Sequence, residues 1–278
     1  MHICGIRLRH TATEAKGIAL LVIVPIIVWS IIQPVVDMSF AIEKPVSIMG
    51  IVFLLSDMYG SATGLLFSLG AILLFCDAPF RDEQQVQCLA RCRTRTWICA
   101  QLLSIVCLSA IYVLYWLLSM ALTISQNAVW ELEWGTVWNT LARTNAAKQF
   151  GVPLECSPGL IRQYEPAVSL LMSLLLKFVY CCFIGNVCFC INMLTHSNAG
   201  IVTSGFFALQ DFLAINYMPY EYTWLSPATL SRLSALDPSG TYLLPTPGQA
   251  LIVLGGSTCV LGILSICFGR RRIMEGYI

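Results

Sequence analysis

The chain has 278 residues, 57% of them hydrophobic and only 11% charged, with a formal net charge of +1. A water-soluble domain carries about a quarter charged residues, so the composition excludes an ordinary soluble protein and indicates an integral membrane protein. Near-neutral charge also removes the electrostatic basis for a nucleic-acid partner.

Residues 1–16 are basic and mildly amphipathic, with Ile3, Ile6 and Leu8 interleaved among Arg7, Arg9, His10 and Lys16. The apolar run that follows is too long for a signal peptide, so this segment reads as an interfacial elbow helix entering the first span. The first span is predicted over 17–36. Pro25 lies inside it and leaves a backbone carbonyl that a neighbouring helix must satisfy. The connection 37–57 contains a short apolar piece, 48–55, too short to cross a bilayer and suited to the interface or to packing on the bundle. A second span follows over 58–75, with Gly60, Gly64 and Gly70 permitting close helix approach.

Residues 76–96 form the one long polar island in the first half of the chain. Pro79 fixes its own φ and disfavours helix at Ala78, which ends the second span. Asp82 is suited to an N-cap, and Glu83 places negative charge on the first turn of a helix. Val86 and Leu89 are three apart, and Arg91, Arg93 and Arg95 load the far end. The segment reads as a short cytosolic helix, parallel to the membrane, that docks on a soluble partner. The bland alternative is an ordinary basic loop. Cys88 and Cys92 have no histidine or second cysteine pair nearby and do not read as a zinc site.

The third span is predicted over 97–123, with Tyr112, Tyr115 and Trp116 towards its outer half. In the polar region 124–165, Trp130, Trp134 and Trp138 recur every four residues and read as one helix face at an interface. The fourth span, 166–194, and the fifth, 200–218, are joined by a turn so short that they must run antiparallel side by side. Residues 219–248 are too polar to span but contain apolar pieces, consistent with one or two short outer helices. The sixth span covers 249–268 and is terminated by Arg270, Arg271 and Arg272 in the tail 269–278.

Basic residues orient the chain. With both termini in the cytosol, Arg7, Arg9, Lys16, Arg81, Arg91, Arg93, Arg95 and Arg270 to Arg272 lie inside. Lys44, Arg143, Lys148, Arg162 and Arg232 lie outside, as the positive-inside rule expects. The expected fold is thus an all-α, multi-pass cell-membrane protein with six transmembrane helices. An N-terminal elbow, a cytosolic coupling helix and short extracellular helices before the last span complete it. The thirteen cysteines fall mostly inside apolar runs, as Cys181, Cys182, Cys188 and Cys190 do, where cysteine behaves as a small hydrophobe.

No Gly-x-x-x-x-Gly-Lys-[Ser/Thr], His-Glu-x-x-His or Gly-x-Ser-x-Gly occurs. Ionisable residues do not converge anywhere in the linear chain, so it is read as a non-enzyme with no cofactor of its own. Two charges lie within predicted spans. Lys177 belongs to a stripe of residues each four apart, Ser169, Ser173, Lys177, Cys181 and Gly185, and Asp211 follows Gln210 in the fifth span. Charges in hydrocarbon are costly and face a partner or a cavity. Ser169, Ser173, Lys177, Gln210 and Asp211 therefore read either as an interhelical pair with its surroundings or as part of a transport pathway.

The motif Phe75-Cys76-Asp77-Ala78-Pro79-Phe80, the following Asp82-Glu83, and the basic stretch from Arg91 to Trp97 with Gln101 resemble the permease subunit of ABC-2-type (type V) ABC transporters. The likeness is to the short bacterial permeases of Firmicute type. It implies a dimer of permeases, homo- or heteromeric, bearing separate ABC ATP-binding subunits that hold ATP and magnesium. It further implies that Phe80, Arg81, Asp82, Glu83, Gln84, Gln85, Val86, Leu89, Ala90, Arg91 and Arg93 contact the ATPase and transmit its motion. The expected function is ATP-driven export of an amphipathic peptide or lipid-like molecule. The competing readings are an ion-coupled secondary transporter built on Lys177 and Asp211, and a non-transporting immunity or scaffold protein in the membrane.

Overall fold

A computed structural model describes residues 15–56, 62–80, 94–154, 156–195, 197–217, 220–240 and 243–274. Its long elements are helices α1 (Ala15–Ala41), α3 (Ala62–Phe75), α4 (Thr94–Ile124), α8 (Pro166–Thr195), α9 (Ala199–Tyr217) and α11 (Pro247–Met274). Between them lie the short helices α2 (Ile51–Leu55), α5 (Gly135–Arg143), α6 (Ala146–Gln149), α7 (Pro158–Gln163) and α10 (Pro227–Leu230). Two-residue strands β1 (Val46–Ser47) and β2 (Ala128–Val129) pair in parallel, Val46 opposite Ala128.

The chain is an all-α membrane protein in which four helices are long and apolar enough to cross a bilayer: Ala15–Ala41, Thr94–Asn127, Pro166–Thr195 and Pro247–Gly269. The apolar helices Thr63–Phe75 and Ala199–Ala214 are shorter. At about 1.5 Å per residue, α3 reaches only about 21 Å of an approximately 30 Å hydrocarbon layer. The long helices bare their aliphatic side chains outward: Ile18, Val22 and Ile26 on α1, Leu114, Leu118 and Leu122 on α4, and Ile252, Val260 and Ile263 on α11 are all exposed. Such bands suit lipid, because water would leave them unsolvated.

α8 is the central element. It packs against α3, α4, α9 and α11, and every residue from 180 to 190 is buried. A helix apolar all round is stable only when surrounded in this way. Its small residues set the spacing: a Cβ added to Gly185 would lie 2.5 Å from the Ile105 side chain on α4.

Pro25 and Pro34 both lie inside α1 without ending it. Proline has no N–H, so Pro25 strands the carbonyl of Leu21, and the hydroxyl of Tyr115 on α4 donates to that oxygen at 2.6 Å. One end of the bundle carries β1, β2 and the short helices, and the other carries 76–80 beside the starts of α1, α4 and α9.

The apolar piece 48–55 packs on the bundle: Ile51, Val52, Phe53, Leu54 and Leu55 of α2 are all buried, and α2 lies against α8. Phe53 stacks on Trp138 at 5.4 Å and packs tilted against Trp134 at 5.3 Å between ring centroids. The three tryptophans of 130–138 do not share a helix face, contrary to their four-residue spacing. α5 begins only at Gly135, whose φ of +70° breaks the helix before it. Trp134 and Trp138 are therefore core residues, while Trp130 is 79% exposed.

Residues 1–14 of the predicted elbow (1–16), residue 57 of the connection, 58–61 of the second span, 218 at the end of the fifth span and the tail beyond 274 lie outside the described residues, and Ala15 and Lys16 begin α1.

Candidate functional site

The segment from Ser226 to Asp237 is placed by sequence in a polar outer region, yet it folds down onto the bundle. Pro227 starts α10, and the Ser226 side chain caps it by accepting from the Thr229 N–H. A 3-10 turn over Leu233–Ala235 follows. Leu230, Leu233 and Leu236 pack with Leu176 of α8 and with Ala250 and Leu254 of α11 in a small core of their own.

This packing drives polar side chains of the segment against the helices. Arg232 is only 2% exposed. One terminal nitrogen of its guanidinium donates to both oxygens of Asp211 on α9, at 3.1 and 2.9 Å. The Thr229 hydroxyl donates to the same carboxylate at 2.9 Å. Lys177 on α8, 3% exposed, donates to Ser231 at 3.1 Å and lies 5.5 Å from the centre of the Phe67 ring, within cation–π range. Below it, Ser173 and Ser56 exchange a hydrogen bond of 3.0 Å, and Ser234 donates to the Ser56 carbonyl.

Lys177, Arg232, Asp211 and Asp237 are all buried; Arg232 is paired with Asp211, Lys177 donates to Ser231, and Asp237 accepts from Ser239. Pairing and hydrogen bonding are the conditions under which buried charge is tolerated. The segment 226–237 is thereby fastened to α2, α8 and α9 and covers the bundle at this end. Tyr164, beside it, has its phenol pushed up to about 12, first by burial and then by the nearby Asp237 carboxylate.

The predicted stripe on α8 is buried throughout. Ser169 returns a bond to the Pro166 carbonyl at 2.7 Å, and Ser173 and Lys177 reach out to Ser56 and Ser231. Gln210 is half-buried, and its side-chain oxygen has no partner among the described residues. Lys177 and Asp211 each bond the same covering segment. The missed residue is Arg232, which sits in a proline-containing polar stretch that carries no periodic signal.

At the opposite end, residues 76–80 leave α3 under restraint from three other helices. Asn192 of α8 donates to the carbonyls of Cys76 at 3.1 Å and Ala78 at 2.7 Å. Its own side-chain oxygen accepts from the N–H of Gly200 at the start of α9, at 2.8 Å. Gln101 of α4 donates to the carbonyl of Phe80 at 3.2 Å, and Lys16 of α1 forms an ion pair with Asp77. Phe80 is half-buried against the core. Arg81, Asp82, Glu83, Gln84, Gln85, Val86, Leu89, Ala90, Arg91 and Arg93 lie outside the described residues.

Among the described residues, no group of three or more histidine, cysteine, aspartate or glutamate side chains is arranged to hold a metal ion. Comparison with protein-family models, with curated proteins and with solved structures finds no match for the chain.

Proposed function

We propose that the chain is the permease subunit of an ATP-driven ABC exporter, with six spans formed by α1, α3, α4, α8, α9 and α11. The observation that carries this reading is the restraint on 76–80. A segment hydrogen-bonded or ion-paired to α1, α4 and α8, and continuous with α3, is a root through which a push on 81–93 reaches most of the bundle at once. An untethered loop would absorb such a push.

In this reading 80–95 is the coupling segment, and ATP and magnesium reside in a separate ABC subunit. The elbow, coupling segment and both termini face the cytosol, and a second permease completes the membrane assembly. The covering segment 226–237 is then an outer closure, latched by Asp211–Arg232 and Lys177–Ser231, which has to part for an amphipathic peptide or lipid-like substrate to leave. Motion transmitted along α8 and α9 acts on that latch directly, because both helices hold it.

The bonding of Asp211 weighs against the ion-coupled alternative: its carboxylate already receives Arg232 and Thr229. Transport measured in vesicles separates the two readings. ATP depletion abolishes it for the ABC permease, whereas collapse of ion gradients with ATP present leaves it intact. The reverse pattern overturns the proposal.

A further inference from the structure

The end of the bundle that carries the short helices has a groove of about 780 Å³, within the roughly 300–1,000 Å³ range of ligand sites. Ser47 and Trp134, both buried, form its floor, and exposed Lys44, Glu131, Leu132 and Glu133 form its walls. Ser47 is fixed there because it donates to the Glu133 carbonyl and accepts from the Met49 N–H, and Phe53 packs against Trp134, ring centroids 5.3 Å apart. The floor is therefore built before any ligand arrives.

Ser47 reaches only the backbone carbonyls of Glu131 and Glu133; among the described residues, the side chains of Lys44, Glu131 and Glu133 make no ion pair or hydrogen bond. Charges of both signs thus line one groove without neutralising each other. Its level is set by the helices: Pro166, the first residue of α8, lines it, and Lys44 is three residues beyond the end of α1. Spanning helices leave the hydrocarbon at this level, where lipid headgroups lie. Beside the carboxylates, Trp130 and Leu132 are 79% and 70% exposed, large apolar groups suited to a membrane interface rather than to water.

We propose that this groove binds the headgroup of a zwitterionic phospholipid, with the phosphate on Lys44 and the ammonium between Glu131 and Glu133. An anionic headgroup would satisfy the lysine but confront two carboxylates. A cationic peptide would satisfy the carboxylates and repel the lysine. A headgroup that carries both charges satisfies all three, and the bare Trp130 and Leu132 fit a ligand with its tails in the bilayer. The inference does not depend on the transport reading, only on the chain being embedded in a membrane.

The test is native mass spectrometry of the full chain released from detergent, titrated with phosphatidylethanolamine, phosphatidylglycerol and diacylglycerol of identical acyl chains. Phosphatidylethanolamine is expected to be retained most. Lys44→Ala should weaken both phospholipids, and Glu131→Gln with Glu133→Gln should weaken phosphatidylethanolamine while strengthening phosphatidylglycerol. Each change should be roughly one-and-a-half- to five-fold, the scale of an exposed charge pair. Glu43→Gln, an exposed carboxylate outside the groove, should change nothing. Equal retention of the three lipids, variants that leave retention unaltered, or an equal effect of Glu43→Gln would overturn the proposal. So would a lysine-rich peptide that displaces phosphatidylethanolamine and binds better after Lys44→Ala, which would assign the groove to peptides.

Discussion

Arg232 places its guanidinium on both carboxylate oxygens of Asp211, at 3.1 and 2.9 Å, although the two residues come from different kinds of structure. Asp211 belongs to the apolar helix α9, and Arg232 to a proline-bounded connection. The pair joins a segment that sequence places in water to the interior of the helix bundle. Its burial makes it an all-or-nothing contact, since either charge alone would remain in a low-dielectric site.

Asp211→Ala should therefore destabilise the protein by about 3–5 kcal/mol, because Arg232 is left buried and uncompensated. Replacing both, with Asp211→Ala and Arg232→Met, should cost clearly less than Asp211→Ala alone. Unfolding in mixed detergent and denaturant micelles measures each variant, and the double-mutant cycle isolates the pair. Simple additivity of the two single changes would show that the pair does not hold the covering segment.

Asn192 offers a second separable contact. Asn192→Asp keeps the acceptor for Gly200 but removes the donors to Cys76 and Ala78. The expected outcome is faster protease cleavage within 76–96, with the α8–α9 turn still protected. Asn192→Ala should expose both regions and cost about 1–3 kcal/mol for each buried group stranded. Cleavage rates equal to the unaltered chain in both variants would remove the restraint from the account.

Tyr115→Phe tests how α1 tolerates its proline. The carbonyl of Leu21 loses its donor in a layer without water, with an expected cost of about 1 kcal/mol. Pro25→Ala restores the helical N–H at that site, so the same tyrosine change should cost little in that background. Melting temperatures of the four chains measure the difference.

How far these features were legible in sequence depended on whether a residue contrasted with its surroundings. Lys177 and Asp211 stand out as charges in apolar runs, and the requirement for a partner to the Pro25-freed carbonyl follows from covalent chemistry alone. Tyr115 as that partner does not, because it requires knowing that α4 lies against α1. Arg232 and Asn192 are inconspicuous for the opposite reason: arginine in a polar stretch and asparagine near a helix end look solvated. The spacing of Trp130, Trp134 and Trp138 misleads because helical periodicity has meaning only inside one helix, and Gly135 starts a new one. The buried run 51–55 is too short for its pattern to distinguish the interface from the core.

The most direct measurement is purification of the chain from the membranes that produce it, followed by ATP hydrolysis assays on the intact assembly. An associated ABC ATPase with measurable turnover is expected, lost when Val86→Asp and Leu89→Asp are introduced and retained when the exposed Glu43→Gln is introduced. A chain that carries out transport with no ATP-hydrolysing subunit bound would contradict that expectation.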